Sequence, residues 1–326
     1  MTRTFKNDLL AVMLSLLICA PASRAADDAF PSKPIRVVIP VSAGGWQDAM
    51  SRLVAQKMEA NIGQSVVVEN RPSAGSVVGT QFVAKSAPDG YTLLAVSNTF
   101  AISPAIVKSA GYSVTDFSAV GEMIRSPLLV LVGASSRLNS IADVIAMARK
   151  SPDGIPYASG GTGSTSHLVP EMFAAQAGIK LLHIPYKGNA PAIPDVISGR
   201  VEFIFSPVSS AVALVNSGKL RSIGITSARR STLYPNVQTL REAGLAGFDS
   251  TVYSALLAPA GTPRAVMDRL KVSLDAAKAN AELIARVKEL GDEVAPNDPR
   301  DRVDAFLAEE AQRYEKVVKE KGIKGE

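Results

Sequence analysis

Short apolar runs alternate with helical patterns along almost the whole chain, and this alternation restricts the fold more than any other feature. KPIRVVIPV (33–41) reads as a strand, and DAMSRLVAQKMEANIG (48–63) after it as an amphipathic helix stopped at Gly63. SVVVENRP and YTLLAVS are further strands, separated by the helix-like VGTQFVAKSA and the turn PDG. The pattern restarts with the strand SPLLVLVGASS, a helix opened by Ser140, the strand IPYASGG and a helix running to Gly178. KLLHIPY, VEFIFSP and LRSIGITS continue it, with APAIPDVISGR and SSAVALVNSGK between them. STVYSALLAPAGTP is a late strand and loop, and two long helical patterns, at 263–290 and 299–320, end the chain. Strands feeding helices at this spacing build right-handed βαβ units, so the expected fold is α/β on a mostly parallel sheet. Two α/β blocks suit 326 residues better than one continuous sheet, and no Gly-, Ser- or Pro-rich tether divides them.

The N-terminus has the form of a secretory leader. Arg3 and Lys6 precede an apolar run from Leu9 to Ala20, and small residues lead to an expected cleavage after Ala25. The run is shorter than the roughly 20 residues a membrane span needs. The single cysteine, Cys19, lies inside it behind Ile18, where lipid attachment would want a small residue. The exported chain would then have no disulfide and no thiolate for a metal site or a nucleophile. A net charge of +5 permits an anionic partner, but the lysines and arginines are scattered and no recognition motif for nucleic acid is present.

Two glycine turns carry the chemistry. SAGGWQD (42–48) and YASGGTGSTSH (157–167) each follow a strand and open a helix, so their backbone amides are expected to face outward from a helix N-terminus. Such a turn attracts carboxylate or phosphate oxygens without a basic side chain, and Ser164, Thr165 and Ser166 add hydroxyl donors. Glycine and hydroxyl residues are also ordinary cap chemistry, so either turn alone has a purely structural reading. The second turn lacks the lysine of a phosphate-binding loop, and Ser166 stands where a dinucleotide fingerprint wants glycine. No Gly-x-Ser-x-Gly elbow occurs, and His167 and His183 are not spaced as a metal pair. A secreted hydrolase using Ser164 or Ser166 with either histidine is the alternative from another class. Trp46, the only tryptophan, is either core packing or a ligand wall.

At KPIRVVIPVSAGG, GQSVVVENRPSAG, APDGYTLL, YASGGTGSTSH, HIPYKG, SGRVEFIF, GKLRSIGITSARRS, EAGLAGF and LLAPAGTP, in order over nearly the whole exported chain, the sequence resembles the Bug family of periplasmic receptors for tripartite tricarboxylate transporters. The resemblance implies a periplasmic-binding-protein type II-like fold, two α/β lobes with a ligand cleft between them. It places lobe 1 at 26–127 plus 248–326 and lobe 2 at 128–247. It implies a monomeric, periplasmic, non-catalytic receptor with no cofactor and no metal, which binds a small organic carboxylate and delivers it to membrane transporter subunits. A sensory receptor of the same fold is a further alternative. Carried over by position, the first ligand loop comprises Ser42, Ala43, Gly44, Gly45, Trp46 and Asp48. The second comprises Gly160, Thr162, Gly163, Ser164, Thr165, Ser166 and His167, with Asn98 and Tyr186 lining the same cleft. Trp46 and Gln47 replace a small residue common in the family, which favours a flat or aromatic acid. Ser206-Pro207 replaces a common Asp-Asn, which disfavours amino acids.

Overall fold

The computed structural model describes residues 30–324, so the leader and Cys19 lie outside the described residues. Strand β1 (Ile35–Ile39) leads into helix α1 (Trp46–Ile62), followed by β2 (Val66–Asn70), α2 (Val77–Ala84), β3 (Thr92–Val96) and α3 (Asn98–Ile106). The long strand β4 (Phe117–Gly133) carries the chain into a second run. That run is α4 (Ile141–Lys150), β5 (Ile155–Ser159), α5 (Thr165–Ala177), β6 (Leu181–Pro185), α6 (Asn189–Ile197), β7 (Phe203–Pro207), α7 (Val208–Asn216) and β8 (Leu220–Ile225). β9 (Thr251–Pro259) returns to the first run, which α8 (Arg264–Lys278), α9 (Ala281–Glu289), the short β10 (Glu293–Val294) and α10 (Arg300–Lys321) complete.

Local chemistry sets most of these boundaries. Gly63 and Gly178 end α1 and α5 with φ of 81° and 63°, a left-handed turn that a side chain would oppose. Ser140 opens α4 with a reciprocal capping box, its hydroxyl accepting from the Asp143 amide while the Asp143 carboxylate accepts from the Ser140 amide. The helical pattern at 263–290 is two helices rather than one. Asn280 leaves helical geometry at ψ 122° and caps α9 by accepting from the Leu283 amide, which separates it from α8.

The sheet is mixed, not mostly parallel. β1 pairs in parallel with β2 and β3, and β5 with β6 and β7, but β3–β9, β9–β4 and β4–β7 are antiparallel. The antiparallel strands are those on which the chain leaves the first lobe and comes back. β4 pairs with β9 from Phe117 to Pro127, then with β7 from Leu128 onward. The sequence reading recognised only the second part of β4. In the first part, register shifts between Ala119 and Gly121 and between Glu122 and Ile124 break the alternation of faces, and Glu122 interrupts the apolar run. Glu122 is buried because Arg125 grips both its carboxylate oxygens at 2.5 Å.

Each of the two α/β lobes has its own cores. Val37, Leu93, Ile124, Leu256 and Leu270 pack in the first lobe, and Tyr157, Phe173, Phe203 and Phe205 in the second. A fully buried side chain of this size contributes about 1.5–3 kcal/mol. Helix α3 was not foreseen, because Phe100, Ala101, Ile102 and Ser103 are all buried and leave no polar stripe to reveal a helical period. α10 starts over the first lobe, yet Tyr314, Val317 and Val318 enter the core of the second. The C-terminal helix therefore ties the two lobes together.

Candidate ligand-binding site

The first turn leaves the C-terminal end of β1, and its shape is fixed by Asp48. Gly44 has φ of 87°, and its amide donates to Asp48 Oδ2 at 2.9 Å. The other oxygen of Asp48 accepts from Arg52 Nε and Asn70 Nδ2, both at 2.9 Å. Burial alone would raise the Asp48 carboxyl, but the Gly44 amide, Asn70 and Arg52 outweigh it and hold the group below its ordinary value. Asp48 was expected to meet the ligand. Both its oxygens are engaged by the protein, and these bonds shape the turn. Ser42, Ala43, Gly44 and Gly45 are exposed, and Gly45 gives α1 no side-chain cap. Among the described residues, the amides of Trp46, Gln47 and Asp48 have no backbone acceptor outside their helix.

The second turn leaves the C-terminal end of β5 and is more self-contained than the sequence reading supposed. Its glycine amides do not point outward. Gly160 donates to Ser166 Oγ at 2.8 Å, Gly161 to Ser159 Oγ at 3.1 Å, and Gly163 to His167 Nδ1 at 3.0 Å. Ser164 Oγ donates to the Gly161 carbonyl at 2.7 Å, and Ser166 Oγ to Asn189 Oδ1 at 2.9 Å. The hydroxyls therefore build the turn and the glycines allow its curvature. The first-turn amides of Thr165 and Ser166 are what remain, since Ser164 supplies no side-chain cap to α5. Thr162 and Thr165 are part-exposed.

His167 is buried and acts on the turn through Nδ1. Burial, with His183 stacked on it at 3.7 Å between ring centroids, pushes its pKa down to about 3, so the ring is a neutral acceptor for Gly163. His183 pairs with Ser159, not with Ser164 or Ser166, its Nε2 lying 2.6 Å from Ser159 Oγ. Ser159 is fully buried. Among the described residues no hydrogen bond joins Ser164 or Ser166 to an imidazole, and the serine–histidine arrangement of the hydrolase alternative is not assembled.

Two more of the expected residues make bonds within the protein. Asn98 is fully buried, donating to the Thr251 carbonyl at 3.0 Å and to Tyr314 Oη at 2.9 Å, and accepting from the Tyr253 amide at 3.2 Å. It joins α3, β9 and α10 where the lobes meet. The Tyr186 hydroxyl donates to Asp195 Oδ2 at 2.7 Å, while its amide bonds the Ser159 carbonyl and supports the second turn from beneath. Trp46 is half-buried between the core under β1 and the cluster that α3 shares with the second lobe, and its Nε1 donates to Asp292 Oδ2 at 2.6 Å. Asp292, Asn189 and Ser159 escaped the sequence reading, because each acts through a partner distant in sequence or without a motif.

The starts of α1 and α5, one per lobe, are thus among the helix N-termini without a side-chain cap at the carboxyl ends of parallel strands, the edge where open α/β sheets bind ligands. Residues 50–323 match the family described as tripartite tricarboxylate transporter family receptor, TctC. The chain belongs to this receptor family. A curated relative, Protein BugT of Bordetella pertussis, is 34% identical over 94% of this chain and 94% of its own length. Among solved structures, the periplasmic binding protein BugD is 32% identical with a TM-score of 0.77, over 91% of this chain and all of that one. R. palustris Rpa4515 with adipate is 30% identical with a TM-score of 0.78, over 90% of this chain and 99% of that one. The receptor therefore has the Bug architecture, a periplasmic-binding-protein type II-like pair of lobes with a ligand cleft between them.

Proposed function

We propose that this receptor works in the periplasm, holding a small organic carboxylate between its lobes and presenting it to the membrane subunits of a tripartite tricarboxylate-type transporter. It catalyses nothing and acts as a monomer. Its lobes divide at 127/128, where β4 changes partner, and at 247/248 on the return. The observation that carries the reading is the pair of uncapped helix starts, α1 in one lobe and α5 in the other. Each contributes about 0.3–1 kcal/mol to holding an anion in the open, rising toward 2 kcal/mol when lobe closure buries it. A solute touching both turns binds the closed state better and so draws the lobes together. The adipate held by a structural relative supports a carboxylate as the solute.

Thr165→Pro tests this reading. Position 165 is the first residue of α5, where proline fits the helix and deletes the amide donor together with the hydroxyl, whose share Thr165→Ala reports separately. Ser164, at φ −73° and ψ 161°, already has the extended conformation that a following proline requires. Titration calorimetry with mono- and dicarboxylates should show one acid molecule bound per chain, without turnover. Thr165→Pro should bind at least tenfold more weakly, with an unchanged melting temperature, whereas Thr165→Ala should lose only about threefold. Equal affinities in Thr165→Pro and wild type would count against the α5 amides as ligands.

A further inference from the structure

Asp292 is 4% exposed, and one of its oxygens accepts from the indole of Trp46. The other, Oδ1, has no hydrogen-bond partner among the described residues, and neither has the buried Ser209 Oγ. Ser126 and Ser209 hydroxyls lie close enough to favour the ionised carboxyl, but neither is aimed at Oδ1 in this conformation. No basic side chain is paired with Asp292 among the described residues, and neighbouring Glu293 adds like charge. Burial raises its pKa to about 6, which still leaves it mainly ionised at neutral pH.

The position of this carboxylate matters. It belongs to the first lobe, in the turn between α9 and β10, yet it sits against the second. A Cβ on Gly291 would overlap Val208 Cγ1 and lie 2.9 Å from Leu233 Cδ2, so the turn lies flat on the first residues of α7. Helix α7 begins at the carboxyl end of β7, which runs parallel to β5. The starts of α7 and α5 therefore lie at the same edge of the sheet in the second lobe, and Trp46 brings the start of α1 to the carboxylate beside α7. A buried, ionised oxygen beside the starts of α1 and α7, one from each lobe, calls for a hydrogen-bond donor and repels a second anion.

We propose that Asp292 is a specificity-determining residue of the solute site, fixing Trp46 as a cleft wall and offering Oδ1, beside Ser209, to a donor on the solute remote from its bound carboxylate. The inference rests on the receptor reading above. The favoured solute is then an acid bearing a hydroxyl or ammonium group at its far end, in preference to the unsubstituted acid or a dianion. Trp46 is held by its indole N–H, so its ring presents a fixed face rather than a mobile one.

Calorimetry with matched probes at pH 7.5 tests this: butyrate, 4-hydroxybutyrate, 4-aminobutyrate and succinate, then benzoate and 4-hydroxybenzoate. In the wild type, a donor-bearing probe should bind at least tenfold more tightly than its unsubstituted partner. Asp292→Asn should reduce that ratio to within threefold while changing the affinity for the unsubstituted acid by less than threefold. Ser209→Ala, a milder change, should reduce the ratio at least threefold and serves if the asparagine variant does not fold. Wild type with no donor preference, or variants that keep it, would overturn the role of Asp292 while leaving the receptor reading intact. Failure of every acid to bind the wild type would overturn both.

Discussion

Gly163→Val is expected to lower stability by about 2–5 kcal/mol and carboxylate affinity by at least tenfold. Two physical causes add. Gly163 has φ of 76°, a region that costs an L-residue about 1–2 kcal/mol and a β-branched one the most. A side chain there would also overlap Ile106 Cδ1 at the end of α3, and relieving such overpacking typically costs about 1–3 kcal/mol. The two causes separate in a cycle with Ile106→Ala, which makes room without changing φ. Urea unfolding should show Ile106→Ala recovering only the packing part of the loss. Affinity should stay low, because the Gly163 amide must keep its bond to His167 Nδ1 for α5 to start where it does. Unchanged stability in Gly163→Val would mean that this turn tolerates a different backbone path.

Asp48→Ala should cost about 2–4 kcal/mol and reduce carboxylate affinity at least tenfold through the shape of the turn. Removing it frees the Gly44 amide and takes one bond each from Asn70 and Arg52, which among the described residues keep only their bonds to the Val41 carbonyl and to each other. The turn that aims the start of α1 then loses the bond by which Gly44 is tied to α1. The effect has a sign in pH. Because the folded state lowers the carboxyl below its ordinary value of 3.8, the stabilisation is fully present above that value and fades as pH falls through the folded pKa. Wild type and Asp48→Ala should therefore converge in stability under strongly acid conditions. A constant gap down to the acid limit would show that the ionised carboxylate is not what holds the turn.

The positions of the site were more legible than its internal wiring. Strand–glycine–helix order marks SAGGWQD and YASGGTGSTSH from sequence alone, because a turn with bare backbone and a helix start has a local signature. Sequence does not say which donors the turn consumes itself. Ser159, Ser166 and His167 take the amides of Gly161, Gly160 and Gly163, and this depends on three-dimensional placement that residue spacing does not encode. Asp292 was invisible for a simpler reason: it meets Trp46 across 246 residues of chain. In the fold, elements with one buried face announced themselves by period, whereas α3, buried on nearly every side, and the bulged first part of β4 did not.

A crystal structure of the protein grown with its tightest-binding acid tests the central claim most directly. The acid's oxygens are expected within about 3 Å of first-turn amides of both α1 and α5, one helix from each lobe. An acid bound to one turn alone, or in the cavity of about 470 Å³ lined by Arg125, Asp249 and Arg313, would contradict it.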